Sequence, residues 1–78
     1  MSALWAVHVQ AGSELLAESQ TTAEFCHAPR GDETQILNFR LKAGGWQRYS
    51  CRVVGIVNTG SRKEITVDIL GEAEPSVV

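Results

Sequence analysis

Over residues 35–57, apolar and polar side chains trade places at every second position, the period of a strand with one buried face. Leu37, Phe39 and Leu41 alternate with Asn38, Arg40 and Lys42; beyond Ala43-Gly44-Gly45, Tyr49, Cys51 and Val53 alternate with Arg48, Ser50 and Arg52. The pattern predicts two strands joined by a tight turn. A three-residue turn pairs Leu41 with Gln47, Phe39 with Tyr49 and Leu37 with Cys51, whereas a two-residue turn sets arginines among the apolar residues. Gly45 then takes the left-handed position that closes the hairpin. The other face collects Arg40 opposite Arg48, Lys42 opposite Trp46, and Arg52 beyond. Like charges set directly opposite each other destabilise a sheet by a few tenths of a kcal/mol, so this face invites a partner.

Residues 4–10 read as a strand with Trp5, Val7 and Val9 on one face and His8 and Gln10 on the other. Residues 14–28 fit two periods. As a helix, Ser13 caps it, Glu14 suits the first turn, His27 the last, and Pro29 follows the end, with Leu15, Leu16, Ser19, Thr22, Ala23 and Cys26 as the stripe. As strands, Leu15, Ala17, Ser19, Thr21, Ala23 and Phe25 alternate with polar residues, and Ala11-Gly12-Ser13 becomes a hairpin turn. Composition favours the helix, for which Thr21-Thr22 is the weak point; a strand over 14–18 followed by a helix from Thr21 is the hybrid. Residues 29–32 form a loop. Val53-Val54-Gly55-Ile56-Val57 is apolar on both faces, which predicts a strand covered on each side. Asn58-Thr59-Gly60-Ser61 is a turn, and Ile65, Val67 and Ile69 mark a last strand, with Val57 set against Lys63 and Val67 near Val53.

The expected architecture is therefore α+β: a small two-layer domain over 1–71, with strand and helix leading into a three-stranded antiparallel meander. The helix covers the face that holds Phe39, Tyr49, Val53 and Val67, and 72–78 form a flexible tail. A small all-β barrel or sandwich is the alternative. The strand, helix and meander order resembles that of many small phage and mobile-element proteins, at the level of architecture alone.

At 78 residues there is room for one core. No apolar run approaches the roughly 18–20 residues needed to cross a bilayer, and no basic-then-apolar leader opens the chain, so a cytoplasmic location and no membrane partner are expected. In that setting Cys26 and Cys51 are free thiols, both read as small core residues. The net charge of −2 is unevenly spread: 1–35 carry −4, 36–64 carry +5 and 65–78 carry −3. The positive charge belongs to the hairpin.

That concentration makes Arg40, Lys42, Trp46, Arg48 and Arg52 the candidate binding residues. Arginines beside an exposed tryptophan can dock an acidic patch on a larger protein, or hold phosphates while the indole stacks on a base. The expected function is a non-enzymatic interaction module, an adaptor or inhibitor of a larger protein. An RNA- or single-stranded-DNA-binding domain is the alternative, and self-association through Val54 and Ile56 a third reading. Neither a catalytic residue, a metal ligand nor a cofactor is expected: His8, Cys26, His27 and Cys51 lack metal-ligand spacing, and Ser13, Ser19 and Ser50 lie in no nucleophile context. Arg30-Gly31-Asp32 reads as a plain turn despite matching an integrin-binding tripeptide. Ser76-Val77-Val78 fits a short tail pattern that PDZ domains bind.

Overall fold

The alternating stretches become β1 (Ala3–Ala11), β2 (Gln20–Phe25), β3 (Thr34–Arg40), β4 (Trp46–Asn58) and β5 (Lys63–Glu72), in a computed structural model that describes residues 2–73. All five join one sheet in the order β2-β1-β5-β4-β3, antiparallel except for the parallel β1–β5 pair. The sheet curls toward a barrel. Its two ends meet where Leu16 bridges Leu41, the Ala17 N–H donating to the Arg40 carbonyl at 2.9 Å and the Lys42 N–H to the Leu15 carbonyl at 3.0 Å.

The helix expected over 14–28 does not form, so the fold is all-β and not α+β. Only Ser13–Leu15 makes a single 3-10 turn, and β2 begins at Gln20. The reason is tertiary. Pairing with β1 sets Trp5 against Ala23 and Val7 against Thr21, and the strand period in Thr21, Ala23 and Phe25 lets β2 present its small and apolar residues to the core. The hybrid is also reversed, with the turn preceding the strand. Gly12 ends β1 at φ 94, where an added Cβ would lie 2.7 Å from the Ile69 Cβ, so the chain can swing past β5 only through a residue without a side chain.

The residues the absent helix was to cover face the barrel interior instead. Phe39, Tyr49, Val53 and Val67 pack there with Trp5, Val7, Val9, Leu16, Leu37, Cys51 and Ile65, with no polar or charged residue buried among the described residues. Phe25 meets Trp5 edge-on at 6.3 Å between centroids, and Phe39 tilts against Tyr49 at 6.1 Å. Pro29, in the loop from β2 to β3, is buried as well.

Two registers differ from expectation. Across β3 and β4, Leu37 faces Tyr49, Phe39 faces Gln47 and Arg40 faces Trp46, a shift of two residues that leaves every side chain on its expected face. Leu41 to Gly45 form the turn, with Gly44 and Gly45 both at positive φ. Across β4 and β5, Val53 faces Val67 as expected, but an irregularity between Val53 and Gly55 moves Val57 opposite Glu64 and Lys63 opposite Asn58. This bulge also answers the doubly apolar stretch. Ile56 pairs with Ile65 on the interior side at the barrel's end while Val54 follows inward-facing Val53, so the two share no face and stand 39% and 37% exposed, without the cover expected on each side.

β5 continues through Glu72, and Ala73 is buried. The remainder of the expected tail, residues 74–78, and the Ser76-Val77-Val78 pattern lie outside the described residues. Among the described residues no helix is long and apolar enough to cross a membrane.

Candidate functional site

Because the β3–β4 register keeps its parity, Arg40, Trp46, Arg48 and Arg52 all emerge on the outer face of the barrel, each exposed. Arg40 stands directly opposite Trp46, not opposite Arg48 as the three-residue turn implied. Cross-strand neighbours of this kind hold their Cβ atoms about 4.5–5.5 Å apart, so the guanidinium lies beside the indole. Arg48 faces Asn38 and follows Trp46 by two residues on the same side, roughly 7 Å along the strand. Lys42 is exposed in the turn above them, its backbone N–H engaged by Leu15.

Arg52 is set apart. It lies six positions beyond Trp46, roughly 20 Å away, and its partner on β5 is Asp68. The half-buried Asp68 carboxylate has one oxygen, Oδ1, with no hydrogen-bond partner, and its charge offsets that of Arg52. The cationic centre is therefore Arg40, Lys42 and Arg48 around Trp46. Among the described residues none of the four candidate cations makes an ion pair; Arg62 pairs with Glu64 at 2.7 Å on a different part of the outer face, where the His8 ring is hydrogen-bonded to the same carboxylate at 2.8 Å. Hydrogen bonds from Arg62 and then His8 hold the Glu64 carboxyl below the usual carboxylate range.

Sequence reasoning missed two members of this face. Ile36, between Thr34 and Asn38 on β3, points outward opposite Ser50 and is 61% exposed; parity alone places it there, since Leu37 is inward. Leu70 is the extra residue of a bulge opposite Ser50 and Cys51 and is 59% exposed. With Trp46 at 65%, three large apolar side chains thus stand among the arginines. A recess of about 170 Å³ opens beside Trp46, lined by Glu18, Gln20, Thr21, Phe39, Arg40 and Trp46 itself.

The cysteines separate. Cys51 is wholly buried, its thiol pushed up to about 11 by burial, while Cys26 is exposed and is not the small core residue expected. Arg30 and Asp32 lie in a turn organised by Glu33, whose carboxylate accepts from the Gln35 side chain and the Arg30 N–H and is held below its usual range by those bonds. No group of three or more potential metal ligands occurs among the described residues. Comparison of the chain with family models, with curated proteins and with solved structures found no match.

Proposed function

We propose that the protein is a non-enzymatic interaction module that docks an acidic surface of a larger protein through the Trp46 face, as an adaptor or inhibitor. The observation that carries this reading is the pairing of Arg40 with an indole left 65% exposed, with Arg48 beside them and no carboxylate among the described residues engaging either arginine. Tryptophan and arginine supply most of the binding energy at protein interfaces when a partner excludes water around them. Ile36 and Leu70 favour a protein over a nucleic acid, because branched aliphatic side chains have no base face to stack on and a protein can cover them with its own apolar atoms. A cytoplasmic setting suits the two unpaired thiols.

The test is affinity capture with nuclease treatment, comparing wild type with the Trp46→Ala/Arg48→Glu double variant. Loss of a captured protein in the variant is the expected result. Equal capture by both removes the face from the function. Nuclease-sensitive capture, together with oligonucleotide binding that weakens steeply with salt, moves the function to RNA or single-stranded DNA on the same residues.

A further inference from the structure

We propose that the free edge of β3 takes an extended acidic segment of the docking partner as an added sixth strand; this deepens the reading of the Trp46 face and rests on it. The edge follows from the direction of the backbone groups. On one side of β3, the Glu33 carbonyl accepts from the Val53 N–H at 2.9 Å and the Leu41 N–H donates to Gly45 at 3.0 Å, so the odd-numbered residues bond toward β4. On the other, the Arg40 carbonyl and the Lys42 N–H bond to the segment around Leu16. Since successive residues of a strand bond to alternate sides, Thr34, Ile36 and Asn38 turn both their N–H and C=O groups away from β4. No strand among the described residues meets them. β3 ends the strand order, and after Ala17 the chain leaves β3 to pair with β1, where the Val9 N–H donates to the Ser19 carbonyl at 2.8 Å.

This edge carries none of the usual guards. Between Glu33 and Arg40 there is neither a charged residue nor a proline, and exposed edge strands ordinarily need one or the other to prevent pairing with a second chain. Charge decides the occupant. A strand laid beside Ile36 and Asn38, antiparallel to β3 as the Leu16 segment already is, places its outward side chains one strand from Ile36 and Asn38 and diagonal to Arg40, with Arg48 on the far side of Asn38. Carboxylates at those positions meet guanidinium groups that make no ion pair among the described residues. A second copy pairing through the same edge would enlarge an already positive face while bringing no carboxylate between Thr34 and Phe39 to meet Arg40 or Arg48, so an acidic partner segment is the better occupant. Main-chain bonding supplies affinity in this mode and alternate side chains supply specificity.

The probe is a fluorescein-labelled peptide of about eight residues alternating glutamate with valine, together with a lysine-for-glutamate twin and a twin N-methylated at alternate amides. Ile36→Pro removes an N–H that faces outward, so it deletes the docking donor without deleting a ladder bond, and Ile36→Thr controls for the side chain. The expected result is anisotropy binding of the acidic peptide that drops at least about tenfold with the lysine twin, with Ile36→Pro and with the Trp46→Ala/Arg48→Glu variant, and survives Ile36→Thr. N-methylation should abolish it. Amide exchange at Ile36 and Asn38 in the wild type should slow when peptide is added, which reads the edge even if the proline variant fails to fold. Equal binding of the N-methylated twin, or unchanged exchange at both amides, overturns the added strand; if the Trp46→Ala/Arg48→Glu variant still loses the peptide, the face itself stands. Binding that ignores Trp46 and Arg48 overturns both readings. Concentration-dependent sedimentation with those amides already protected in peptide-free protein assigns the edge to a second copy and overturns the proposal.

Discussion

Leu16 lies across from Leu41, and this one pair turns an open five-stranded sheet into a nearly closed barrel. Leu16 is 2% exposed and its neighbour Leu15 is 68% exposed, because the 3-10 turn at Ser13–Leu15 throws one leucine outward before the chain bonds to β3. The two therefore differ in energetic weight. Leu16→Ala should destabilise the domain by about 2–5 kcal/mol through lost burial and the cavity left behind. Leu15→Ala should stay within about 0.5 kcal/mol of wild type. Urea denaturation of the two variants measures the difference, and equal midpoints would mean that the clasp does not close the barrel.

Gly12 is the second fixed point of that closure. At φ 94 a side chain is strained whatever the space, and here a Cβ also meets Ile69 at 2.7 Å. Backbone strain and overpacking each contribute about 1–3 kcal/mol, so Gly12→Ala should destabilise by roughly 2–6 kcal/mol. Gly44→Ala, also at positive φ but in open space, should lose only about 1 kcal/mol. Thermal unfolding that ranked them the other way would contradict the close approach of β1 to β5.

Cys51 gives the fold a definite alkaline limit. Burial holds its thiol up to about 11, whereas in the unfolded chain it titrates near about 8.5. Above about pH 8.5 the unfolded state releases a proton that the native state keeps, so stability is complete below that pH and falls as pH rises toward 11. The slope approaches about 1.4 kcal/mol per pH unit within the window. To isolate the thiol from every other alkaline effect, the quantity to measure is the difference in unfolding free energy between wild type and Cys51→Ala. That difference should shrink as pH rises from 8 to 11. A pH-independent difference would place the thiol in contact with water.

Much of this fold is legible in the residues. The alternation around Phe39 and Tyr49 determines which side chains face inward, and a register error of two leaves that partition intact because the period of a strand is two. It does change who faces whom, which is why Arg40 meets Trp46 and not Arg48. The stretch from Leu15 to Phe25 was not legible, because helix-forming composition and strand periodicity coexist there and only the availability of the β1 edge decides between them. Bulges left no signature either. The irregularity beside Gly55 separates Val54 from Ile56, and the one at Leu70 pushes an apolar side chain outward next to the arginines; both depend on the β4–β5 pairing as a whole.

The electrostatic character of the site can be read from its own tryptophan. Trp5 is 2% exposed, capped by Lys63 at 5.6 Å from its ring, so collisional quenching by ions reports on Trp46. Arg40, Lys42 and Arg48, without an ion pair among the described residues, raise the local concentration of anions, against Glu18 alone among the residues lining the adjacent recess. With each quenching constant divided by that of free N-acetyltryptophanamide at the same salt, iodide should therefore quench Trp46 more efficiently than caesium at low ionic strength, with neutral acrylamide as the reference. The ratio should fall toward one near 0.5 M sodium chloride, where screening cuts the field to about 4 Å. Arg40→Glu with Arg48→Glu should invert it, and Trp46→Phe should remove most ion-sensitive emission. An iodide-to-caesium ratio of one or less in wild-type protein at low salt would mean that the face carries no positive field, and an acidic partner would then have no reason to choose it.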